Sequence, residues 1–229
     1  MRTASGAGRI IGVLILVQMV GGILVNFILM APLFGTPGFL VNAAEHALEI
    51  SVSALLGLAI GALSLGIAIT AFPVFRQYSQ AMALWFVALA AVSLSVTAVE
   101  NISVMSMLSL SEAYAKANAA QRDLFELLRV VVASSRNWTH YIGLIVAGST
   151  LLVLYTVLYR FALVPRALAA FGLAAVMLQI AVVAMPLFGR GIVFLMLAPL
   201  GVSQLLLALW LITKGFRGNA DARNEGSDA

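Results

Sequence analysis

Six apolar runs, each long enough to cross the hydrocarbon of a bilayer as an α-helix, take up most of this 229-residue chain. They fall at about 10–33, 48–72, 81–110, 137–159, 167–187 and 192–213. In lipid every backbone N–H and C=O has to be satisfied inside its own segment, so the runs predict an all-α fold. The expected architecture is a polytopic transmembrane helical bundle of about six spans. A single domain is predicted over 1–213, with no chain left over for a separate catalytic domain. The remainder, 214–229, is rich in Gly, Asn, Asp and Arg and is expected to be a disordered cytoplasmic tail.

Composition agrees on the solvent. Only 10% of residues are charged and mean hydropathy is +1.07, whereas a soluble domain carries about 25% charge. The formal charge of +4 does not point to nucleic acid, because the basic residues stand singly at the ends of apolar runs. With no cysteine, disulfide, thiolate-ligand and iron–sulfur chemistry are excluded. The first run follows Arg2 and Arg9 but exceeds a signal-peptide core of about 7 to 15 residues, so a retained first span is expected.

Turn residues mark the span ends. Pro32, Gly35, Pro37 and Gly38 break the chain after the first run, Pro73 is expected to stop the second, Pro165 suits the first turn of the fifth, and Gly189 and Gly191 flank a late turn. With the N-terminus inside, the cytoplasmic segments hold Arg2, Arg9, Arg76, Arg160, Arg166, Lys214, Arg217 and Arg223. The opposite side holds Lys116, Arg122, Arg129, Arg136 and Arg190, so both termini are predicted in the cytoplasm. In the long outer segment 111–136, Leu124, Leu127, Leu128 and Val131 recur at helical spacing opposite Arg122, Glu126 and Arg129. Two readings fit: an amphipathic helix on the outer surface, or an extension of the third or fourth span. A short repeat, Ala31-Pro32-Leu33-Phe34-Gly35 and Met185-Pro186-Leu187-Phe188-Gly189, with Gln18 and Gln179 upstream, fits either parallel duplication or coincidence.

His140-Tyr141-Ile142-Gly143-Leu144, Leu158-Tyr159-Arg160, Val164-Pro165-Arg166 with Gly172, and Ala208-Leu209-Trp210-Leu211 before Lys214-Gly215 make the stretch 137–216 resemble a family of bacterial membrane proteins. That family is domain of unknown function 4386, and the opening Arg9-Ile10-Ile11-Gly12-Val13-Leu14 is similar to it too. The resemblance implies a multi-pass protein of the bacterial inner membrane and carries no activity with it.

A charge in hydrocarbon costs at least about 2.5 to 3.5 kcal/mol, so Glu100, within the third run, needs a partner or a wet cavity. Ser93, Thr97 and Asn101 lie at steps of three and four around it. The second span opens with Glu45, His46 and Glu49, which can converge on one helical face, and the stripe continues as Ser53, Gly57 and Gly61. Small residues spaced by four admit another helix closely, from this chain or from a partner or second copy. His140 stands above Gly143, Ala147 and Thr150, and Asn26 reaches a comparable height in the first span. Together Asn26, Glu45, His46, Glu49, Glu100, Asn101 and His140 predict a polar, ligand-binding pocket open to the outside. The bland alternative is that these residues are solvated headgroup-layer side chains and helix-to-helix hydrogen bonds.

His46, Glu49, Glu100 and His140 are candidate ligands for a divalent metal, and the two histidines for haem, although no HExxH or similar motif supports either. The only lysines, Lys116 and Lys214, lie outside the spans, which excludes an intramembrane Schiff base. No Walker, Rossmann or GxSxG motif is present, and nothing else marks the chain as an enzyme. Pro199, with Gly201, Ser203 and Gln204, is expected to kink the sixth span. Three functions remain: binding or transport of a small ligand, ion or proton; a membrane-embedded metal or haem protein; and a scaffold or regulatory subunit. Membrane lipids are the one partner expected in every case.

Overall fold

The computed structural model describes residues 2–217, and 218–229, most of the expected tail, lies outside them. Among these residues eight α-helices follow one another: α1 (Arg2–Ile23), α2 (Ala31–Phe34), α3 (Phe39–Asn42), α4 (Ala47–Phe75), α5 (Gln80–Ala115), α6 (Arg122–Arg160), α7 (Arg166–Ala184) and α8 (Ala198–Lys214). No strand occurs among the described residues. Six helical stretches are long and apolar enough to span: Ala4–Leu29, Ala47–Phe75, Gln80–Ala115, Ala119–Arg160, Arg166–Phe188 and Phe194–Lys214. The chain is a multi-pass membrane protein of all-α class.

The turn residues act differently from expectation in three places. Pro73 does not stop α4, which runs on to Phe75 before the turn. Pro165 is the residue before α7, and its carbonyl accepts the Ala169 N–H at 3.1 Å. Pro199 makes no mid-span kink. It sits in the first turn of α8 after a 3₁₀ turn over Phe194–Leu197, where its missing N–H leaves no intrahelical bond unmade. The segment 111–136 follows the second of the two sequence readings: α5 continues to Ala115 and α6 begins at Arg122. With 36 and 39 residues, these helices are about 54 and 58 Å long, well beyond the roughly 30 Å of hydrocarbon. The two Pro-Leu-Phe-Gly motifs each form a single turn with proline at its start, α-helical at Ala31–Phe34 and 3₁₀ at Met185–Phe188.

The described chain divides into two compact units. In the unit formed by Met19–Ala62 and Leu94–Gly143, the small-residue stripe of α4 is filled from within the chain by α5. A Cβ at Gly57 would lie 3.1 Å from Asn101 Oδ1, and one at Gly61 would lie 3.0 Å from Leu94. Ser53 is fully buried, its hydroxyl donating to Ile50 O at 2.7 Å. The stripe therefore faces α5 within this unit. Val25, Leu33, Phe39, Leu40, Ile50, Val104 and Leu108 form the core of this unit. Ser111 locks α5 to α3, donating to Leu40 O at 3.0 Å and accepting from Ala44 N–H at 2.9 Å.

The other unit comprises Met1–Gln18, Leu63–Ser93 and Leu144–Ala229. Here α7 packs along α8, and α6 meets α7 so closely at Gly172 that an added Cβ would fall on the Tyr155 ring. Gly12 lets α1 approach α8, since a Cβ there would lie 2.7 Å from Ala208 O. The two ends of the described chain meet as well. A Cβ on Gly8 would stand 2.7 Å from Phe216 N, and Gly215, at φ 70°, abuts Ser5. Arg217 N–H donates to Leu163 O at 2.8 Å.

Candidate functional site

Glu100 lies on α5, and Arg136 and His140 lie four positions apart on α6, so the two bases share a face one turn apart. Both reach the same atom. Glu100 Oε1 accepts from Arg136 Nη2 at 3.2 Å and pairs with His140 Nδ1 at 2.8 Å. A carboxylate only accepts, so with Glu100 ionised Nδ1 carries the hydrogen and Nε2 is the nitrogen left to gain or lose a proton. The Arg136 side chain is 7% exposed, that of Glu100 18% and that of His140 26%. The Phe34 ring lies 4.9 Å from the Arg136 guanidinium carbon, a cation–π contact that covers it. Arg136 Nε is buried without a hydrogen-bond partner. His140 is flanked by the Tyr141 ring at 6.1 Å, itself edge-on to Trp138 at 6.0 Å. Gly143 keeps α6 close to α5, with Val96 3.4 Å and Glu100 Oε2 4.0 Å from where its Cβ would stand.

The other residues of the expected pocket are placed elsewhere. Asn101 is buried and turns to α4, where it packs on Gly57 while donating to Thr97 O at 3.0 Å. Asn26 is exposed and donates to Gly22 O at 2.9 Å, one turn back on its own helix. His46 pairs with Glu49 at 3.2 Å as an exposed (i, i+3) contact at the start of α4, and Glu45 is exposed. A solvated pair of that kind contributes about 0 to 1 kcal/mol. The four candidate metal ligands thus form two pairs, His46–Glu49 and His140–Glu100. Among the described residues no group of three or more His, Cys, Asp or Glu side chains is placed to hold a metal ion.

A family model described as a domain of unknown function (DUF4386) matches residues 10–215. The chain belongs to that family. The matched range includes Glu100, Arg136 and His140, so the cluster is part of the DUF4386 domain and not of an appendage to it. Comparison with curated proteins and with solved structures returns no match.

Sequence reasoning anticipated Glu100 and His140 and missed Arg136, which looks like one more loop cation at the end of an apolar run. The signal was present in its spacing. A basic residue four before a span histidine lies on the same helical face, and Glu100 needs a countercharge. Arg136 with ionised Glu100 sums to zero, so the net charge of the cluster is that of His140. A proton taken up by His140 would therefore leave two cationic groups on one carboxylate.

Proposed function

We propose that this DUF4386 protein resides in the bacterial inner membrane with both termini in the cytoplasm. In this reading it binds or transports a small ligand, ion or proton through an outward-facing site at Glu100, Arg136 and His140. The observation that supports the reading is the single carboxylate oxygen shared by a buried guanidinium and an imidazole. Hydrogen bonds meant only as helix glue need no histidine. Histidine is the side chain whose charge ordinarily changes between about pH 5 and 8. The charged and titratable groups facing it are Glu100 on α5 and Arg136 and Tyr141 on α6. Protonation there changes the charge by a full unit in a partly desolvated setting, which biases the packing of α5 against α6 and gives ligand binding a proton-linked step.

The test uses Trp138, which reaches His140 through Tyr141. In nanodiscs, with Trp85 and Trp210 replaced by Phe, the emission of Trp138 is expected to change with pH. His140→Gln should abolish the change and Glu100→Gln should alter its amplitude. A pH-independent emission, or one that His140→Gln leaves as it was, overturns the proton-responsive reading.

A further inference from the structure

The unit containing Leu63–Ser93 and Leu144–Ala229 also holds a cavity of about 80 Å³. Six hydrogen-bonding side chains line it: Gln18 from α1, Ser64 from α4, Ser93 from α5, Thr150 and Tyr155 from α6, and Gln204 from α8. No Asp, Glu, Lys, Arg or His is among the lining residues, so a desolvated ion would meet no countercharge there. Gln204 is the eleventh of the 21 residues of its span, far from either end.

Serine and threonine can meet their own needs inside a helix, as Thr150 does by donating to Val146 O at 3.1 Å. A glutamine amide cannot, since it offers two N–H donors and a two-lone-pair oxygen. Gln18 Nε2 donates to Ser64 Oγ, which uses one of those capacities. Tyr155 OH pairs with Ser203 Oγ at 3.2 Å, so its phenol is anchored at the cavity wall. The capacity left over is that of the Gln18 and Gln204 amides, and in hydrocarbon only a polar occupant meets it. Each water takes about 30 Å³ in the liquid, so the volume suits two or three.

We infer that this cavity is a second binding site, which holds a small cluster of water molecules and completes the hydrogen bonding of Gln18 and Gln204. It is built from residues other than the Glu100 cluster and stands or falls apart from it.

Hydroxyl-radical footprinting by X-ray radiolysis, on the full chain in nanodiscs, tests the site, because side chains touching held water are oxidised despite burial. Leu207 and Leu211 are both 1% exposed and lie one turn apart on α8, but only Leu207 lines the cavity. Leu207 is expected to label at least about tenfold faster than Leu211, as contact with ordered water implies. Equal rates mean a dry void and overturn the inference. In Gln18→Met/Thr150→Val, which keeps volume and removes polarity, the Leu207 rate should fall to that of Leu211. A rate that stays high overturns the assignment of these side chains as the water ligands. Should that variant fail to fold, the wild-type comparison decides by itself.

Discussion

The fold should tolerate the loss of Arg136 poorly. Removing one member of a buried ion pair leaves the other charge uncompensated, at about 3 to 5 kcal/mol, whereas removing both charges together is often close to neutral. Arg136→Met should therefore destabilise the protein toward the lower end of that range, since Glu100 keeps His140 and some solvent access. Arg136→Met/Glu100→Gln should recover much of the loss, and denaturant titration in detergent measures both. A double variant no more stable than Arg136→Met would mean that the residues are not coupled. At this scale the sequence was half legible. An isolated glutamate in an apolar run demands a partner whatever the fold, so Glu100 could be singled out. Which of two adjacent polar residues faces which neighbour depends on the rotation of α5, about 100° per residue, and that separates Glu100, turned to α6, from Asn101, turned to α4.

Among elements, contact between α4 and α5 depends on Gly57. A Cβ there would press on the Asn101 amide at 3.1 and 3.2 Å, and overpacking of this kind costs about 1 to 3 kcal/mol. Gly57→Ala should lower the unfolding midpoint, and Gly57→Ala/Asn101→Ala should restore part of it by clearing the obstructing side chain. If the second substitution gives no relief, the clash lies elsewhere. Helix existence was legible because hydropathy alone fixes it for the six spans. Helix ends were not, since a proline blocks a helix only where the N–H it lacks is needed. Pro199 falls in a first turn where no such bond exists, and α4 absorbs Pro73 close to its end. The outer segment was ambiguous for a related reason: the amphipathic pattern of 124–131 is the same whether the helix lies on a surface or rises from one. Leu127 and Val131 are 69% and 65% exposed on α6.

For the whole molecule, the absence of cysteine makes topology directly measurable. Single variants Ser79→Cys, in the turn between α4 and α5, and Asn118→Cys, between α5 and α6, should react with a membrane-impermeant maleimide from opposite sides. Asn118 is expected on the outside, as the eight-to-five basic bias requires. Labelling from one side only would refute the proposed orientation. The approach of Gly8 to Phe216 and of Ser5 to Gly215 bears on how the protein is made. Of the described helices α1 is synthesised first, and it finds its close neighbour at Gly12 in α8, the last of them. Until then Gln18 must wait in the bilayer without the wall that Gln204 and Leu207 complete. Assembly of that unit is therefore a closing step after synthesis and cannot proceed span by span. A chain cut before α8 should insert its earlier helices and still be degraded much faster in cells than the full chain, a difference that pulse–chase labelling reads directly. Equal lifetimes would show that α1 needs no such partner.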